Sequence, residues 1–395
     1  MLNENFIKPR YDSGGFAGIP DRIFEACVSG DYDAVVLFLV DGFGWRFFEK
    51  FQDAPFLKRF PAAGEAEKLT SQFPSTTAAH VTTIHTGQPV GKTGLFEWFY
   101  YEPQLDRIIA PLLFSYAADR DRETLKNVIK PGNLYPRGTL YQELAKSGVA
   151  GFVFGARDYT PSSYSNMVMK GAKLSSFRTL SEALVNLGKL IERQDGPAYY
   201  HLYFDKIDSL CHEYGPSSPQ VEAEIQVFLL IMEYFFTRIF SGRKKVLFML
   251  TADHGVAEVA PETTVFLNRR PDFKHIERFL RRNRAGDLLV PAGSARDMFL
   301  YIREGLLDEA QAFLSHRLEG TAEVVKTQWL IENGYFGQEI SKRLRERVGN
   351  LVILPYRYES VWWYEKKVFE QNFYGHHGGL TPQEMEIPLL SLAIG

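Results

Sequence analysis

Three short runs of the sequence are apolar at almost every position, and they limit the fold more than any other feature. Ala34–Val40 reads AVVLFLV, and Ala198–Phe204 and Lys245–Thr251 have a similar texture. A strand with one face in water alternates apolar and polar residues, whereas a strand covered on both faces does not. The three runs therefore predict strands in the interior of a sheet.

Helical patterns lie between these strands. They are predicted at Leu140–Lys146, Leu180–Arg193 and Ser218–Phe240, the last with apolar residues at a spacing of 3.6. A final strand is predicted at Leu389–Ala393 and returns to the same sheet. Strands that alternate with helices of this length require crossover connections. The fold class is therefore α/β, with a mostly parallel central sheet flanked by helices on both faces.

Residues 261–361 have a different texture and are richer in arginine. We interpret them as an inserted, smaller α+β cap, and residues 1–260 and 362–395 as the catalytic domain. The elements predicted within the cap are a helix at Leu306–His316 and strands at Met298–Ile302 and Glu323–Lys326.

Charge and composition exclude several classes of function. The 395 residues contain 45 Lys and Arg against 48 Asp and Glu, which gives no basic surface for a nucleic acid polymer. The longest apolar runs are too short to span a bilayer, and the N-terminus lacks the layout of a secretory signal. Two cysteines cannot form a disulfide framework. We expect a cytoplasmic protein with no membrane partner, and an enzyme is typical of this size.

Acidic and imidazole side chains follow the three apolar runs at the points where the strands end. Asp41 follows the first run, Asp208 and His212 follow the second, and Asp253 and His254 follow the third. Ligands of open parallel sheets bind outside the carboxyl ends of the strands. We therefore expect these side chains to share one rim.

Such a rim is electrostatically costly unless a cation neutralises it. Sets of Asp and His suit Zn²⁺ or Mn²⁺. Asp208 and His212 stand four residues apart, so on a helix they share one face and can hold one ion together. A single strand-end Asp is usually a turn residue, and a single His is usually a surface or core residue. The prediction of a metal site therefore rests on the whole set, with Asp205 as a candidate neighbour of the ligands.

A hydroxyl nucleophile is predicted in the segment Phe73–His80, which reads FPSTTAAH. It follows a predicted strand at Glu67–Phe73 and begins a helix. The free N–H groups of a helix N-terminus favour an alkoxide and receive an anionic substrate oxygen. A metal also lowers the pKa of a bound hydroxyl. The same residues are common helix N-caps, so the segment alone leaves both roles open.

Five motifs occur in order along nearly the whole chain: VDGFG, FPSTTAAHVTTIHTG, DSLCHEYGP, TADHG and HHGGL. This set resembles the alkaline phosphatase superfamily, and more closely the type I phosphodiesterase/nucleotide pyrophosphatase family. The resemblance implies an alkaline phosphatase-like fold, two divalent metal ions, usually zinc, and a threonine that forms a covalent phospho-enzyme.

The resemblance also implies a role for each matching residue. The implied ligands are Asp208, His212 and His377 for one metal, and Asp41, Asp253 and His254 for the other, with the Thr77 hydroxyl reaching the second.

Two of these assignments depend on register. The family pattern places the nucleophile three residues after the proline, which selects Thr77 and leaves Thr76 as the alternative if the register slips by one. The last ligand precedes Gly-Gly, which selects His377 and makes His376 its outer neighbour.

One position departs from the family pattern. Many relatives that cleave nucleotides place an asparagine after the nucleophile helix, where it binds a phosphoryl oxygen, whereas this chain has Glu97. A carboxylate there repels phosphate unless it is protonated or bridged to a cation. Either Glu97 has another task, such as fixing a histidine beside the metal site or binding an amine of the substrate, or the substrate is not a nucleotide. Trp98 is a candidate stacking surface for a base, although aromatic residues here also suit a core strand. Arg296 is a third candidate substrate contact.

We therefore expect a two-metal phosphodiesterase or nucleotide pyrophosphatase acting on a small phosphate diester or diphosphate. One alternative is a phosphomonoesterase or phosphonate hydrolase on the same metal pair. Another is a non-catalytic relic that binds a phosphorylated ligand. A complete set of ligands and a hydroxyl argue against the relic.

Overall fold

A seven-stranded sheet forms the centre of the molecule in the computed structural model, which describes residues 2–239, 242 and 244–395. The strand order is β2-β17-β9-β1-β8-β6-β7. The strands from β9 to β7 run parallel, and β17 is antiparallel to both of its neighbours. The predicted α/β fold with a mostly parallel sheet is confirmed.

The strands of the described residues are β1 Ala34–Val40, β2 Glu65–Thr70, β3 Tyr100–Glu102, β4 Arg107–Ala110, β5 Ser115–Tyr116, β6 Ala150–Ala156, β7 Lys173–Phe177, β8 Ala198–Phe204, β9 Val246–Thr251, β10 Ala257–Glu258, β11 Val265–Phe266, β12 Met298–Leu300, β13 Ala322–Lys326, β14 Leu351–Pro355, β15 Val361–Trp362, β16 Gly375–His376 and β17 Glu386–Ile394.

The α-helices of the described residues are α1 Ile19–Val28, α2 Trp45–Phe51, α3 Pro55–Ala63, α4 Thr77–Thr86, α5 Val90–Thr93, α6 Pro131–Leu134, α7 Leu140–Lys146, α8 Ser163–Val168, α9 Leu180–Arg193, α10 Lys206–Tyr214, α11 Pro219–Ile239, α12 Leu307–Arg317, α13 Thr327–Glu332, α14 Lys342–Arg347 and α15 Pro382–Met385. None of them combines the length and the apolarity that crossing a bilayer requires.

Helices cover the central strands from both sides. Residues at even and odd positions of a strand point to opposite faces. On β8, the ring of Tyr199 stacks on Tyr141 of α7, and the ring of Phe204 stacks on Phe228 of α11. Every residue of β1 is buried for the same reason, which explains its uninterrupted apolar sequence.

Most of the predicted elements occur with small shifts at their ends. β1, β8, α7 and α9 have the predicted bounds. The long predicted helix is observed as α11, and residue 240 lies outside the described residues. The strand predicted at Glu67–Phe73 is β2, which ends at Thr70. The next residues leave the strand because the backbone N–H of Gln72 donates to the ring of His80 rather than to a neighbouring strand.

Residues 261–361 contain a second, smaller sheet. Strands β12 and β13 pair antiparallel with β14, and α12 packs against β13. Apolar side chains of this region form a hydrophobic cluster separate from the main core. However, Leu330, Phe336 and Leu344 belong to the main core, so part of the region packs against the central domain.

A buried ion pair ties α14 to β3. The guanidinium of Arg347 donates to Glu102 at 2.8 Å, and it also donates to the backbone carbonyls of Gly94 and Leu134 at 2.9 Å each. The side chains of Arg347 and Glu102 are 1% and 2% exposed. Removing one member of such a pair leaves the other charged and unpaired in the interior.

We expect Arg347→Met to lower the free energy of unfolding by about 3–5 kcal/mol, because Glu102 remains buried without its partner. The double variant with Glu102→Gln should recover part of that loss. Urea titrations followed by circular dichroism measure both. As a control, Lys146→Met breaks the exposed pair with Glu143 and should leave the midpoint almost unchanged. Equal effects of the buried and exposed changes would contradict this assignment.

Candidate active site

The carboxyl ends of β1, β8 and β9 lie at one level of the sheet. Val40 pairs with Phe204 of β8, and Leu39 pairs with Thr251 of β9. The chain turns directly after each strand, so Asp41 and Asp253 emerge side by side. The predicted common rim is therefore present.

Gly42 allows these carboxylates to approach each other. Its φ of +71° lies in the left-handed region, and a Cβ atom there would lie 3.1 Å from Oδ1 of Asp208. Its backbone N–H donates to Oδ1 of Asp253 at 3.2 Å. A larger residue at position 42 would push Asp208 away from the rim.

Two overlapping groups of side chains have the spacing of metal ligands. One contains Asp41, Asp253 and His254, and the other contains Asp208, His254 and His377. Within each group the ligand atoms lie within 4.8 Å of one another. His212, the remaining predicted ligand, has its Nε2 atom 3.2 Å from Oδ2 of Asp208, so the two share one face of α10 as predicted. The structure brings all six side chains together; their role as ligands stays a prediction.

Backbone carbonyls orient the three imidazoles. Nδ1 of His212 is 2.8 Å from the carbonyl of Gly375, Nδ1 of His377 is 3.0 Å from that of Ser75, and Nδ1 of His254 is 3.1 Å from that of Gly255. Since a carbonyl only accepts, each Nδ1 carries a proton, which leaves Nε2 available to a metal ion when the ring is neutral. Neutral histidines fixed in this way are typical metal ligands.

The carboxylates of the rim lack positive partners for several of their oxygens. Oδ1 of Asp41, Oδ1 of Asp208 and Oδ2 of Asp253 are buried and accept no hydrogen bond from the described residues. Burial and the charges of Asp253 and Asp208 raise the pKa of Asp41 well above its usual value. Burial and Asp208 raise the pKa of Asp253 to about 7. Buried oxygens without partners fit a divalent cation held by Asp and His, so the donor set matches the predicted metals.

Thr77 faces this rim, and Thr76 does not. The hydroxyl of Thr77, at the first position of α4, is 3.2 Å from Nε2 of His254. The hydroxyl of Thr76, at the N-cap, donates to the carbonyl of Phe96 at 3.0 Å. The first N–H groups of a helix have no partner within the helix, so a bound anion can accept from them. The geometry favours Thr77 as the hydroxyl of the site.

A cavity of about 550 Å³ opens at Thr77 and the carboxylates. Trp98 lines it and is 39% exposed. Asp205 lies half-buried on the same cavity, 3.4 Å from the ammonium of Lys206. His376 also lines the cavity, and its Nδ1 accepts from the backbone N–H of His377 at 2.9 Å. These residues surround the rim without joining the two ligand groups.

Glu97 lines the cavity beside a second buried carboxyl group, Asp297. Burial raises the pKa of Glu97 to about 8. Burial and the charge of Glu97 raise the pKa of Asp297 well above its usual value. Oε1 of Glu97 and Oδ2 of Asp297 have no donor among the described residues, and the raised pKa values favour the protonated forms. A protonated Glu97 can donate a hydrogen bond into the cavity.

The structure does not support Arg296 as a substrate contact. Its guanidinium is fully buried and forms two hydrogen bonds with Glu384, at 2.9 and 2.8 Å. Its remaining donor group bonds to the carbonyls of Tyr356 and Glu359. The side chain is used to hold the loop around Gly379, whose N–H donates to Glu384, and it does not line the cavity.

Two neighbours of the rim were not found from the sequence. The hydroxyl of Tyr203 donates to Oδ2 of Asp41, and Ser75 donates to the carbonyl of Gly379 while accepting from Gly378. Tyr203 lies on the same strand face as His201, one position before the end of β8. Strand alternation could have identified Tyr203, whereas the contacts of Ser75 depend on residues far away in sequence.

A family model for type I phosphodiesterase/nucleotide pyrophosphatase matches residues 35–380. The chain belongs to this family. Its members are metal-dependent hydrolases of phosphoester bonds. Among curated proteins, none matches the sequence.

Solved structures share the fold over most of the chain. Murine ectonucleotide pyrophosphatase/phosphodiesterase 5 has a TM-score of 0.66 and 16% identity, with 91% of this chain and 87% of that chain covered. The human protein of the same name has a TM-score of 0.67, 15% identity and the same coverage. Phosphonoacetate hydrolase from Sinorhizobium meliloti, in complex with phosphonoformate, has a TM-score of 0.65 and 16% identity, with 91% and 90% covered. Identities this low show the fold alone.

The raised pKa of Asp253 makes its ionised form destabilising in the ion-free protein. Because the folded pKa of about 7 exceeds the usual 3.8, the cost grows as pH rises between these values and is fully present above 7. We expect Asp253→Asn to stabilise the ion-free protein by on the order of 1–4 kcal/mol at pH 8, and by clearly less at pH 5. Thermal midpoints in EDTA at both pH values measure the difference.

Adding Zn²⁺ at pH 8 should raise the thermal midpoint of the wild type above that of Asp253→Asn, because the wild type gains binding free energy that the variant loses. Asp272→Asn, on the surface, serves as the control and should show neither effect. An advantage of Asp253→Asn that is the same at pH 5 and pH 8 would contradict the assigned pKa.

Proposed function

We propose that this enzyme hydrolyses a small phosphate diester or diphosphate through a covalent phospho-threonine on Thr77. The observation that carries the proposal is the position of the Thr77 hydroxyl. It lies 3.2 Å from Nε2 of His254, at the N-terminus of α4 and beside the buried carboxylates. A hydroxyl in this position can attack phosphorus while the helix N-terminus receives a phosphoryl oxygen.

Two dications, Zn²⁺ or Mn²⁺, fit the donor set of the rim. The residues that would hold them are Asp41, Asp253 and His254 for one, with Thr77 next to it, and Asp208, His212 and His377 for the other. Bound there, the ions would neutralise the carboxylates, lower the pKa of the Thr77 hydroxyl and stabilise charge on phosphoryl oxygens.

The side chains of the protein position the reacting groups and orient them by hydrogen bonds. Oγ of Thr77 forms a bond to phosphorus while the bond to the leaving oxygen breaks, and the leaving oxygen takes the electron pair and then a proton. In the second step water attacks phosphorus, the bond to Oγ breaks, and Thr77 regains a proton. The hydrogen bonds from Nδ1 of His254 and His377 keep their Nε2 atoms aimed at the rim, where they would hold the metal ions.

The comparisons support this choice at the level of chemistry. An inactive variant of murine ectonucleotide pyrophosphatase/phosphodiesterase 5, in which alanine replaces a threonine, has been solved in complex with AMP. A phosphonate hydrolase is the second candidate, because the Sinorhizobium meliloti enzyme has been solved in complex with phosphonoacetate and has a similar fold. We favour the diester because, among the described residues, no lysine or arginine forms an ion pair at the rim where a terminal phosphate dianion would bind, and Arg122, which lines the cavity, is exposed.

Residues 261–361 are proposed to act as a cap over the site. Gly293, Ser294 and Ala295 from this region line the cavity, and Ser294 donates to the carbonyl of His377 at 2.9 Å. We also propose that the enzyme works in the cytoplasm, because Cys27 and Cys211 are both free thiols.

Glu97 is proposed to replace the asparagine of related enzymes as a donor to a phosphoryl oxygen. It can do so because burial raises its pKa to about 8, and a protonated carboxyl group donates where a carboxylate would repel. Apolar active sites in other enzymes likewise keep a carboxylic acid neutral, so that it can donate a hydrogen bond.

We expect Thr77→Ala to lower kcat for bis-p-nitrophenyl phosphate by roughly 10³-fold or more, because the covalent step is lost. Thr76→Ala should keep kcat within about tenfold of the wild type, since the Thr76 hydroxyl donates to the carbonyl of Phe96 and does not face the rim. Release of p-nitrophenolate from the Zn²⁺-loaded proteins measures both. Activity that survives in Thr77→Ala and vanishes in Thr76→Ala would transfer the role to Thr76.

A panel of substrates separates the candidate functions. The expected order of kcat/KM puts bis-p-nitrophenyl phosphate and a nucleotide p-nitrophenyl ester above p-nitrophenyl phosphate and phosphonoacetate. Dominant turnover of the monoester or of phosphonoacetate would replace the proposal with the corresponding alternative. Binding without any turnover would support the third alternative, a non-catalytic protein that binds a phosphorylated ligand.

The protonated state of Glu97 predicts an alkaline limit to activity. Since its pKa is raised to about 8, kcat/KM for the diester should fall as pH rises through 8. In Glu97→Gln, which donates at any pH, this limb should disappear. Glu370→Gln, an exposed carboxylate on the same cavity, should keep it. A limb that persists unchanged in Glu97→Gln would exclude Glu97 as its source.

A further inference from the structure

The cavity extends from the site along one face of α4. Thr77, Val81 and His85 all line it, and they are spaced four residues apart. Residues four apart lie one above the other on a helix, so the cavity follows the helix for eight residues, about 12 Å at the usual rise. The inner part of this cavity, from Val81 to His85 and the strand residues opposite, is called the inner chamber below.

Charged side chains are confined to the outer part of the cavity. Apart from Glu97 and the carboxylates of the rim, those that line it are Arg122 and Glu370, which are exposed, and Asp205, which is half-buried. The buried lining of the inner chamber consists of apolar and neutral polar side chains, including Val153 and Phe154 of β6. The inner chamber therefore suits an uncharged group.

His201 lies at the inner end of this chamber, and it has no hydrogen bond. The residue is 1% exposed and lines the cavity, and both of its ring nitrogens are buried without a partner among the described residues. Its ring meets the edge of His85 at 4.6 Å between centroids, and Nδ1 of His85 is 2.7 Å from the hydroxyl of Tyr141. A buried polar side chain normally finds a partner within the protein, and one left open towards a cavity points to a ligand.

The neighbourhood keeps this imidazole neutral. Burial lowers the pKa of His201 to about 3, and burial also lowers the pKa of His85 well below its usual value. A neutral imidazole has one N–H donor and one acceptor nitrogen, so it can bond to a hydroxyl, a carbonyl or a ring nitrogen.

We propose that the inner chamber binds the organic group of the phosphate ester, and that His201 forms a hydrogen bond with a polar atom at the far end of that group. The substrate class is thus an ester whose organic group is uncharged, mostly apolar and about as long as the chamber, with one hydrogen-bonding function at its end. This inference rests on the proposed function only for the placement of phosphorus at Thr77.

Alkyl p-nitrophenyl phosphodiesters test the inference because the leaving group stays constant while the alkyl group changes. The set contains the methyl, hexyl and 6-hydroxyhexyl esters, measured by release of p-nitrophenolate from the Zn²⁺-loaded enzyme. We expect hexyl to exceed methyl in kcat/KM, and 6-hydroxyhexyl to exceed hexyl by about tenfold, the effect of one hydrogen bond to a buried group. In His201→Leu the preference for the hydroxyl should disappear.

Two further variants keep the test interpretable. His201→Gln, which retains a donor and an acceptor, should keep part of the preference. His316→Leu, which removes an exposed histidine of α12, should leave all three rates unchanged. A wild type that does not distinguish hexyl from 6-hydroxyhexyl would overturn the inference. So would a His201→Leu variant in which all three rates fall equally, since that is the signature of a structural role.

A binding measurement separates the inference from the proposed function. Calorimetric titration with hexylphosphonate and 6-hydroxyhexylphosphonate requires no turnover. One outcome is that none of the esters is hydrolysed, but 6-hydroxyhexylphosphonate binds about tenfold more tightly than hexylphosphonate, and only when His201 is present. That outcome would support the binding role of the inner chamber and contradict the proposed reaction. If the esters are hydrolysed but neither rates nor dissociation constants depend on the hydroxyl, the proposed reaction is supported and the binding role of the inner chamber is contradicted.

Discussion

Three carboxylates are buried at one end of the central sheet, and most of the local structure can be understood from the need to keep them there. Burial disfavours the charge of all three, and repulsion disfavours it further for Asp41 and Asp253, whereas His212 and His377 favour the charged form of Asp208. Among the described residues, no Arg or Lys forms an ion pair with these carboxylates. Gly42 increases the repulsion, because it allows Asp208 to approach Asp41 and Asp253 closely. An arrangement of this kind is stable when the missing positive charge comes from bound cations.

The remainder of the site is organised around that charge. Carbonyl groups fix the protonated nitrogen of each ligand-like histidine, so that the free nitrogen faces the carboxylates. Helix α4 begins beside the rim with Thr77 and continues along the cavity to His85. Charge is thus concentrated where phosphate chemistry needs it, while the inner chamber contains neutral groups. This separation allows one cavity to hold a charged and an uncharged part of the same molecule.

The sequence predicts the strands, helices and rim residues whose positions follow from the pattern of neighbouring residues. β1 and β8 are covered on both faces and have continuous apolar sequences, and α7 and α9 have clear caps, so their bounds could be predicted. The rim was predictable because parallel strands deliver their carboxyl ends to the same edge. In contrast, the end of β2 depends on the ring of His80.

The other differences arise from contacts that are distant in sequence. The sequence alone makes Arg296 a candidate substrate contact, because its partner, Glu384, lies 88 residues away. The open nitrogens of His201 could not be predicted either, since a histidine in a strand usually has a partner in the core. The contact of Glu97 with Asp297 joins residues that are 200 positions apart in the sequence. Such cases require coordinates because no local pattern encodes them.

Metal content most directly tests the claim that two bound dications neutralise the buried carboxylates. The wild-type protein, equilibrated with excess Zn²⁺ and then dialysed against metal-free buffer at pH 8, should retain two ions per chain by inductively coupled plasma mass spectrometry, and Asp208→Asn should retain fewer. Retention of no metal by the wild type would contradict the claim, because the buried carboxylates would then have to exist without the cations that explain them.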